Sequence, residues 1–490
     1  MRTIKTLLAI LLTVSLVILI PSCAVNPVTG KKQLMFMTEE QEIAMGAQYD
    51  PTVISTFGLY EDEELLNFIT EKGTEIGKIS HRPNLQFHFR VLDSPVVNAF
   101  AVPGGYVYFT RGILAQFNNE AELLGVLGHE IGHVTARHSV QQQTRQQLSQ
   151  FALAAGMIAV PEVAQFAGEA TAAMELLFLS FSRANEREAD QLGVEYSSKV
   201  GYDAHKMADF FEVLNRMQGG EDGSSAGIPI WMSTHPDPGD RTVAVNQKTA
   251  EWQAQLPQQT YAVNSNDYLK MIDGIVYGEN PRHGFVEDNM FYHPDLAFQF
   301  PIPKSWTLIN SPLQVQIVPE SKDAAMIFEL SQEKDADAVA QKTISDLQLK
   351  LIDKSNVNLN GLNAVVTLSE RVSQNDAGQE QVLKILSYFI KKDAMVYTFH
   401  GLCLDENFSQ HKPAFESTMK NFARLTNASK LNIQPARIKV ISINSASVSL
   451  KDAFDYYKVP QDKFEEMALL NNRKLTDELK RGDMIKILDK

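Results

Sequence analysis

His129-Glu130-Ile131-Gly132-His133 lies inside a run from Asn119 to Val134 that reads as a helix, and this stretch decides the fold of the first half of the chain. Residues four apart on a helix stack on one face, so His129 and His133 can present two imidazole nitrogens to one metal ion. Zinc takes such a pair readily, and H-E-x-x-H nominates a zinc peptidase. Glu130 sits one step round the helix, poorly placed to bind the metal but well placed to take a proton from water, which makes it the candidate catalytic base. The helix is credible without the motif. Asn119 and Glu122 have capping-box spacing, and Leu123, Leu124, Val126, Leu127, Ile131 and Val134 give it an apolar surface. Gly125, Gly128 and Gly132 each cost roughly 1 kcal/mol against alanine in a helix interior. Three of them predict that another backbone packs very close to this helix.

A catalytic zinc needs three protein ligands and one open position. His138 is out of register for the third, because H-E-x-x-H-x-x-G-x-x-H would place glycine at Ala136 and histidine at Ser139. A better donor is a second helix-like segment, Met174 to Val200, in which Glu186 and Asp190 share a face and Glu188 points elsewhere. Glu186 completes a His-His-Glu set, and Asp190, one turn later, can accept the free ring N–H of a ligating histidine and so fix its tautomer. Taken alone, the segment also reads as an exposed helix laced with charge pairs, Arg183 and Arg187 against Glu186 and Asp190. Beside H-E-x-x-H the ligand reading is preferred. The strand-like run Gly104 to Arg111 puts Val107 and Phe109 on one face and Tyr106 and Tyr108 on the other.

These residues resemble a known family, the HtpX-like and BepA-like zinc metallopeptidases, to which the CAAX prenyl endopeptidase is related. The resemblance covers about residues 25 to 270. It runs through Asn26-Pro27-Val28-Thr29-Gly30, Thr38-Glu39-Glu40-Gln41-Glu42, Asn98-Ala99-Phe100-Ala101-Val102-Pro103-Gly104-Gly105, Gly128 to Val134, Glu186-x-x-x-Asp190 and Ser233-Thr234-His235-Pro236. It implies a gluzincin site with one zinc per chain held by His129, His133 and Glu186, with Glu130 as base. It also implies that the strand at 104–111 lies beside the metal, where an edge would pair with the substrate backbone; the other reading of this run is an ordinary core strand. His235 has two readings, a fourth ligand that gates the site, or a residue in the turn that Pro236, Pro238 and Gly239 would make in any case. Arg241 likewise either stabilises the oxyanion or a substrate carboxylate, or is a surface arginine paired with Asp237 or Asp240.

The start of the chain sets the compartment. Arg2 and Lys5 precede the apolar run Leu7 to Ile20, which suits a signal-peptide core and is shorter than the roughly 20 residues of a bilayer-spanning helix. Ile20-Pro21-Ser22-Cys23 resembles a bacterial lipobox, so residues 1–23 read as a lipoprotein signal peptide with Cys23 as the lipid anchor. Ala24 replaces the aspartate that holds lipoproteins in the inner membrane, which directs the anchor to the outer membrane. Cleavage at Ser22-Cys23-Ala24 would instead leave a soluble periplasmic chain. With Cys23 lipidated, Cys403, the other of the two cysteines, has no disulfide partner and reads as a buried thiol. The segment from about Ser139 to Ser180, broken by Pro161 and Glu162, Glu169 and Glu175, reads as packing between helices, with a lid as the other reading.

The chain is 490 residues with a formal charge of −14, long enough for several domains and too acidic to suggest nucleic acid as a partner. Past about Tyr277 strands dominate: Ala297 to Ile302, Ala325 to Leu330, Ala364 to Leu368, Val382 to Ile390 and Ala394 to His400, with helices at Ala336 to Leu351 and Gln410 to Phe422 and a hairpin turn at Asn360-Gly361. This stretch resembles the PsbP/Mog1-type fold. From about Ala436 to Leu488 the order strand, helix, helix, strand, with Leu470-Asn471-Asn472 and Arg481 to Ile487, resembles a LysM module. Ser445 to Leu450 stands where that family has a G-D-T-L loop.

The fold class is therefore α+β. A mostly helical gluzincin domain with a small edge sheet (24–275) precedes an antiparallel α+β domain (276–428) and a small βααβ module (435–490). The expected activity is zinc-dependent hydrolysis of misfolded or unassembled cell-envelope proteins in the periplasm, from an outer-membrane anchor. Peptidoglycan and the outer-membrane assembly machinery are candidate partners. The alternative is a non-catalytic envelope scaffold.

Overall fold

The computed structural model describes residues 23–145, 180–218, 230–235, 238–257, 260–374 and 380–489. The expected signal segment, most of 139–180, and Pro236 and Asp237 lie outside these residues. Among the described residues no helix is long and apolar enough to cross a membrane.

The motif helix runs Glu120–Thr135 and every residue in it is buried. Asn119 caps it by accepting from the Glu122 N–H at 2.8 Å. Glu122 reaches one residue further back than a capping box requires, accepting from the Asn118 N–H at 2.7 Å. The three glycines have the close neighbours their cost predicts. A Cβ on Gly128 would meet the Gly193 carbonyl oxygen at 3.1 Å, one on Gly132 the Cβ of Leu192 at 3.0 Å, and one on Gly125 the Cβ of Met207 at 2.6 Å. Gly193 belongs to the helix Arg183–Lys199, so the two helices that carry the motif residues touch backbone to backbone. That second helix starts later than Met174, because Ser182 has extended backbone and caps it by accepting from the Asn185 N–H.

Beside the motif helix lies a three-stranded sheet. His88–Leu92 pairs parallel, and Ala99–Val102 antiparallel, with Tyr106–Thr110. Its pleat sends Val107 and Phe109 into the main core and Tyr106 and Tyr108 into a smaller cluster with Val53, Leu92 and Phe100. The expectation of an edge strand at 104–111 is corrected on two counts. Gly104 and Gly105 have φ of 82° and 94° and form a turn, and the strand that follows is central, paired on both sides. The edge beside the motif helix is Ala99–Val102.

The middle of the chain forms a seven-stranded antiparallel sheet in the order Lys350–Leu359, Leu362–Gln374, Glu380–Lys392, Met395–Leu404, Ala324–Ser331, Gln314–Pro319, Trp306–Asn310. The helices Ala336–Asp346 and Asp405–Met419 cover opposite faces, since alternate residues of the same strands, Phe389 and Tyr388 for example, join different clusters. Asn360 and Gly361 (φ 52° and 84°) make the expected hairpin turn. The helix expected to reach Leu351 stops at Asp346. Gln348 is left-handed (φ 52°), and the chain turns there into the strand Lys350–Leu359.

In the last segment Arg437–Ser442 pairs antiparallel with Met484–Asp489 around the helices Leu450–Tyr456 and Phe464–Leu470. A second short pair, Ser447–Ser449 with Glu478–Lys480, is added to the expected order. The segment packs into the first unit. Ile438, Leu450, Phe454, Met467 and Ile485 share one core cluster with Leu123, Phe210 and Tyr268. Buried Lys486 donates from Nζ to the carbonyls of Ala115, Gln116 and Phe117 at 2.9, 3.2 and 3.0 Å, just ahead of the motif helix.

Candidate metal centre

Backbone contact between the two helices brings His129, His133 and Glu186 together. His235 joins them from the end of the short helix Ile230–Thr234. One donor atom from each of these four buried residues lies within 4.8 Å of the others. His133 Nε2 is 3.0 Å from His129 Nε2, and the two nitrogens are each 3.6 Å from a Glu186 carboxylate oxygen. His235 Nδ1 lies 3.2 Å from His129 Nε2 and 3.0 and 3.1 Å from the two oxygens of Glu186.

These separations suit a small cation. Ligands about 2.1 Å from tetrahedral zinc stand about 3.4 Å from one another. The donor set, imidazole nitrogen and carboxylate oxygen, is also the one zinc prefers. The tautomer of His129 agrees. A carboxylate can only accept, so the contact of His129 Nδ1 with Asp190 Oδ1 at 2.9 Å puts the proton on Nδ1 and leaves the Nε2 lone pair facing the cluster.

Asp190 is held in turn by Arg241, which donates from Nε and Nη2 to its two oxygens, both at 2.7 Å. Arg241 Nη1 bonds the His235 carbonyl at 3.0 Å and lies 3.2 Å from Glu186, while the guanidinium packs over Trp231 and Phe211. It is 3% exposed, so it is not a surface arginine paired with Asp237 or Asp240. It is a clamp behind the carboxylates. Burial alone would raise both acids, but Arg241 and His129 hold Asp190 down to about 2, and His235 and Arg241 hold Glu186 below its ordinary value. Burial would lower His235, yet Glu186 and Glu130 raise it. Burial carries His133 well below its ordinary value, so it stays neutral and able to donate a lone pair.

Glu130 stands apart. Neither of its buried oxygens completes a hydrogen bond: the Trp231 indole N–H is near enough to lower the carboxyl but does not close on it, and the nearest ring nitrogen of His235 is 3.6 Å away. Burial raises its carboxyl, partly offset by His235 and His129. A buried acid left without partners costs several kcal/mol unless water or a reacting group fills the place.

Two neighbours lay outside the sequence reading, and two more were set aside by it. Phe181 stacks on the His133 ring at 4.2 Å between centroids, and Trp231 on His235 at 4.7 Å. Glu188, expected to point away, reaches His138 Nε2 at 3.1 Å, and His138 Nδ1 lies 3.0 Å from His133 Nδ1. No helical spacing could have shown this, because Arg137 is left-handed (φ 58°) and turns the chain back after the helix ends. The side chain of Cys23 is not among those described. Cys403 is a buried free thiol.

Comparison with known proteins agrees with this geometry. Residues 67–249 match the model of peptidase family M48, and all the residues of the cluster fall inside that match. The chain is similar to the putative beta-barrel assembly-enhancing protease of Vibrio cholerae, 31% identical over 224 residues, 44% of this chain and 46% of the relative. It is 28% identical to the beta-barrel assembly-enhancing protease of Escherichia coli K12 over 229 residues, 45% of this chain and 46% of that one. It is 26% identical to human mitochondrial metalloendopeptidase OMA1 over 241 residues, 44% of each chain. The chain thus spans about half the length of these relatives.

Proposed function

We propose that this chain is a zinc-dependent endopeptidase that hydrolyses misfolded or unassembled envelope proteins. The observation that carries the reading is the pairing of a four-donor buried cluster with an acid, Glu130, whose oxygens have no partner. His129, His133 and Glu186 would hold one zinc ion, with Asp190 fixing His129 and Arg241 fixing Asp190. When bound, zinc supplies Lewis acidity toward water and the scissile carbonyl. Glu130 takes a proton from the attacking water and returns it to the leaving amine, a role suited to a carboxyl raised by burial. Ala99–Val102 has a strand partner on one side only among the described residues, and its other side is where an extended substrate would pair by main chain, which fits broad clients better than one sequence. The backbone N–H of Trp231 donates to the Val97 carbonyl at 3.1 Å, so the segment that delivers His235 is tied to the chain just ahead of this strand.

In this reading His235 closes the site as a fourth donor and withdraws for turnover. The names of the bacterial relatives support envelope proteins as clients. The lipobox-like Ile20 to Cys23 supports a lipid anchor at the periplasmic face of the outer membrane. The middle unit serves binding or positioning, since no further group of metal-binding side chains occurs among the described residues. The last module acts as a structural cap in preference to a peptidoglycan binder, because its Asn472 and the Arg473 carbonyl are engaged by Arg216 of the first unit.

Casein hydrolysis with matched zinc analysis tests the proposal. Glu130→Gln is expected to lose activity by about 10² to 10⁴-fold while keeping its zinc. His235→Ala is expected to keep zinc and raise turnover. A wild-type chain without chelator-sensitive activity, even as His235→Ala, would favour the scaffold reading.

A further inference from the structure

We infer that His138 and Glu188 form a positioning relay that fixes the tautomer of His133, as Asp190 does for His129. The inference rests on the metal-centre reading above and extends it to the second imidazole.

The direction of the relay follows from what each group can do. Glu188 as a carboxylate can only accept, so His138 Nε2, at 3.1 Å, carries a hydrogen and donates it. Neutral His138 then has a bare Nδ1. That atom faces His133 Nδ1 at 3.0 Å, so His133 must donate from Nδ1. Its Nε2 is left bare, 3.0 Å from His129 Nε2 and 3.6 Å from Glu186, pointing into the cluster. Reversing any one bond would put a hydrogen on His133 Nε2 and aim it at the metal position.

The relay is built into the fold. Phe181 stacks on His133 and sets the plane of the ring, but stacking does not distinguish one edge of an imidazole from the other. The contact with His138 makes that distinction. His138 is 1% exposed and is brought back over the helix end by the left-handed Arg137. Arg137 is itself held by Glu42 at 2.8 Å and by the Met37 carbonyl at 3.1 Å. A left-handed arginine is strained, and its two anchors offset that strain. The two histidines are thus supported differently. His129 rests on a charged pair sealed from solvent, His133 on a second imidazole whose partner, Glu188, reaches the surface with its side chain 26% exposed.

The test uses the full chain and reads zinc affinity by competition with a chromophoric chelator, with thermal unfolding of the metal-free protein alongside. Glu188→Ala and His138→Ala are expected to weaken zinc binding by about 10 to 100-fold. Glu188→Gln keeps a carbonyl acceptor for His138 and is expected to bind close to wild type, whereas Glu188→Lys offers a donor and is expected to bind at least as weakly as Glu188→Ala. Metal-free melting temperatures should not follow this order. Wild-type affinity in both alanine variants would overturn the relay. So would equal losses in Glu188→Gln and Glu188→Ala, or affinity losses that track metal-free stability. A wild-type chain that takes up no zinc would instead overturn the metal-centre reading itself, and the relay with it.

Discussion

The first unit and the middle unit treat buried polarity in opposite ways. Around the motif helix the buried groups are charged and paired: Arg82 and Arg137 on Glu42, and Arg241 on Asp190. Only Glu130 among these acids lacks a hydrogen bond. In the seven-stranded sheet the buried polar residues are mostly hydroxyls, Thr367, Ser369, Ser387 and Thr398 among them, and Ser369 and Thr398 are also unpaired. An orphan hydroxyl costs about 1 to 3 kcal/mol, which a large sheet can absorb. An orphan carboxyl costs far more and persists where something else needs it. An unsatisfied group therefore supports the role proposed for Glu130, beside a set of donors, and supports nothing of the kind in the sheet.

The cores differ in the same sense. The middle unit has a core of its own, built on Phe298, Phe300, Phe328, Phe399 and Phe422, while the last module shares its core with the first unit across the whole intervening sequence. The sharpest way to break this division is Phe298→Ala. Phe298 is fully buried against five aromatic neighbours, and its loss should cost the middle unit about 4 kcal/mol. Calorimetry should show a lowered transition for that unit, with zinc content and casein hydrolysis unchanged. Loss of activity in step would show that the two units unfold as one.

A smaller effect tests the other side. Lys486 has three donors and meets three carbonyls, and burial pushes its ammonium down while the nearby Glu122 carboxylate pulls it back. Lys486→Met removes this donor from all three carbonyls, of which Gln116 keeps its bond from Asn118 Nδ2, at about 2 kcal/mol. Thermal unfolding should show the first unit losing that stability, since the carbonyls lie at the head of the motif helix. An unchanged transition would reduce the module to an attached neighbour.

Much of the site was legible before the structure. His129, Glu130, His133, Glu186 and Asp190 could be named because helical periodicity converts a spacing of four into one shared face, and the three glycines announced a close backbone. The hairpin at Asn360-Gly361 was legible because few residues adopt its left-handed turn cheaply. The strand Lys350–Leu359 was not, since it is an edge with nine of its ten residues exposed and no alternation to read. The run at 104–111 read correctly as a strand, but only pairing shows that it is central and that Ala99–Val102 is the edge.

The sequence by itself determined the donor types, the helices that carry them and the acid beside them, because these depend on contacts within a turn or two of helix. Tertiary structure alone decided that His235 enters the cluster, that Arg241 clamps Asp190, that Glu188 reaches His138, and that Lys486 anchors the last module to the first. Those contacts join residues separated by between 49 and 371 positions. Their geometry is set by how whole elements pack, and no local periodicity encodes it.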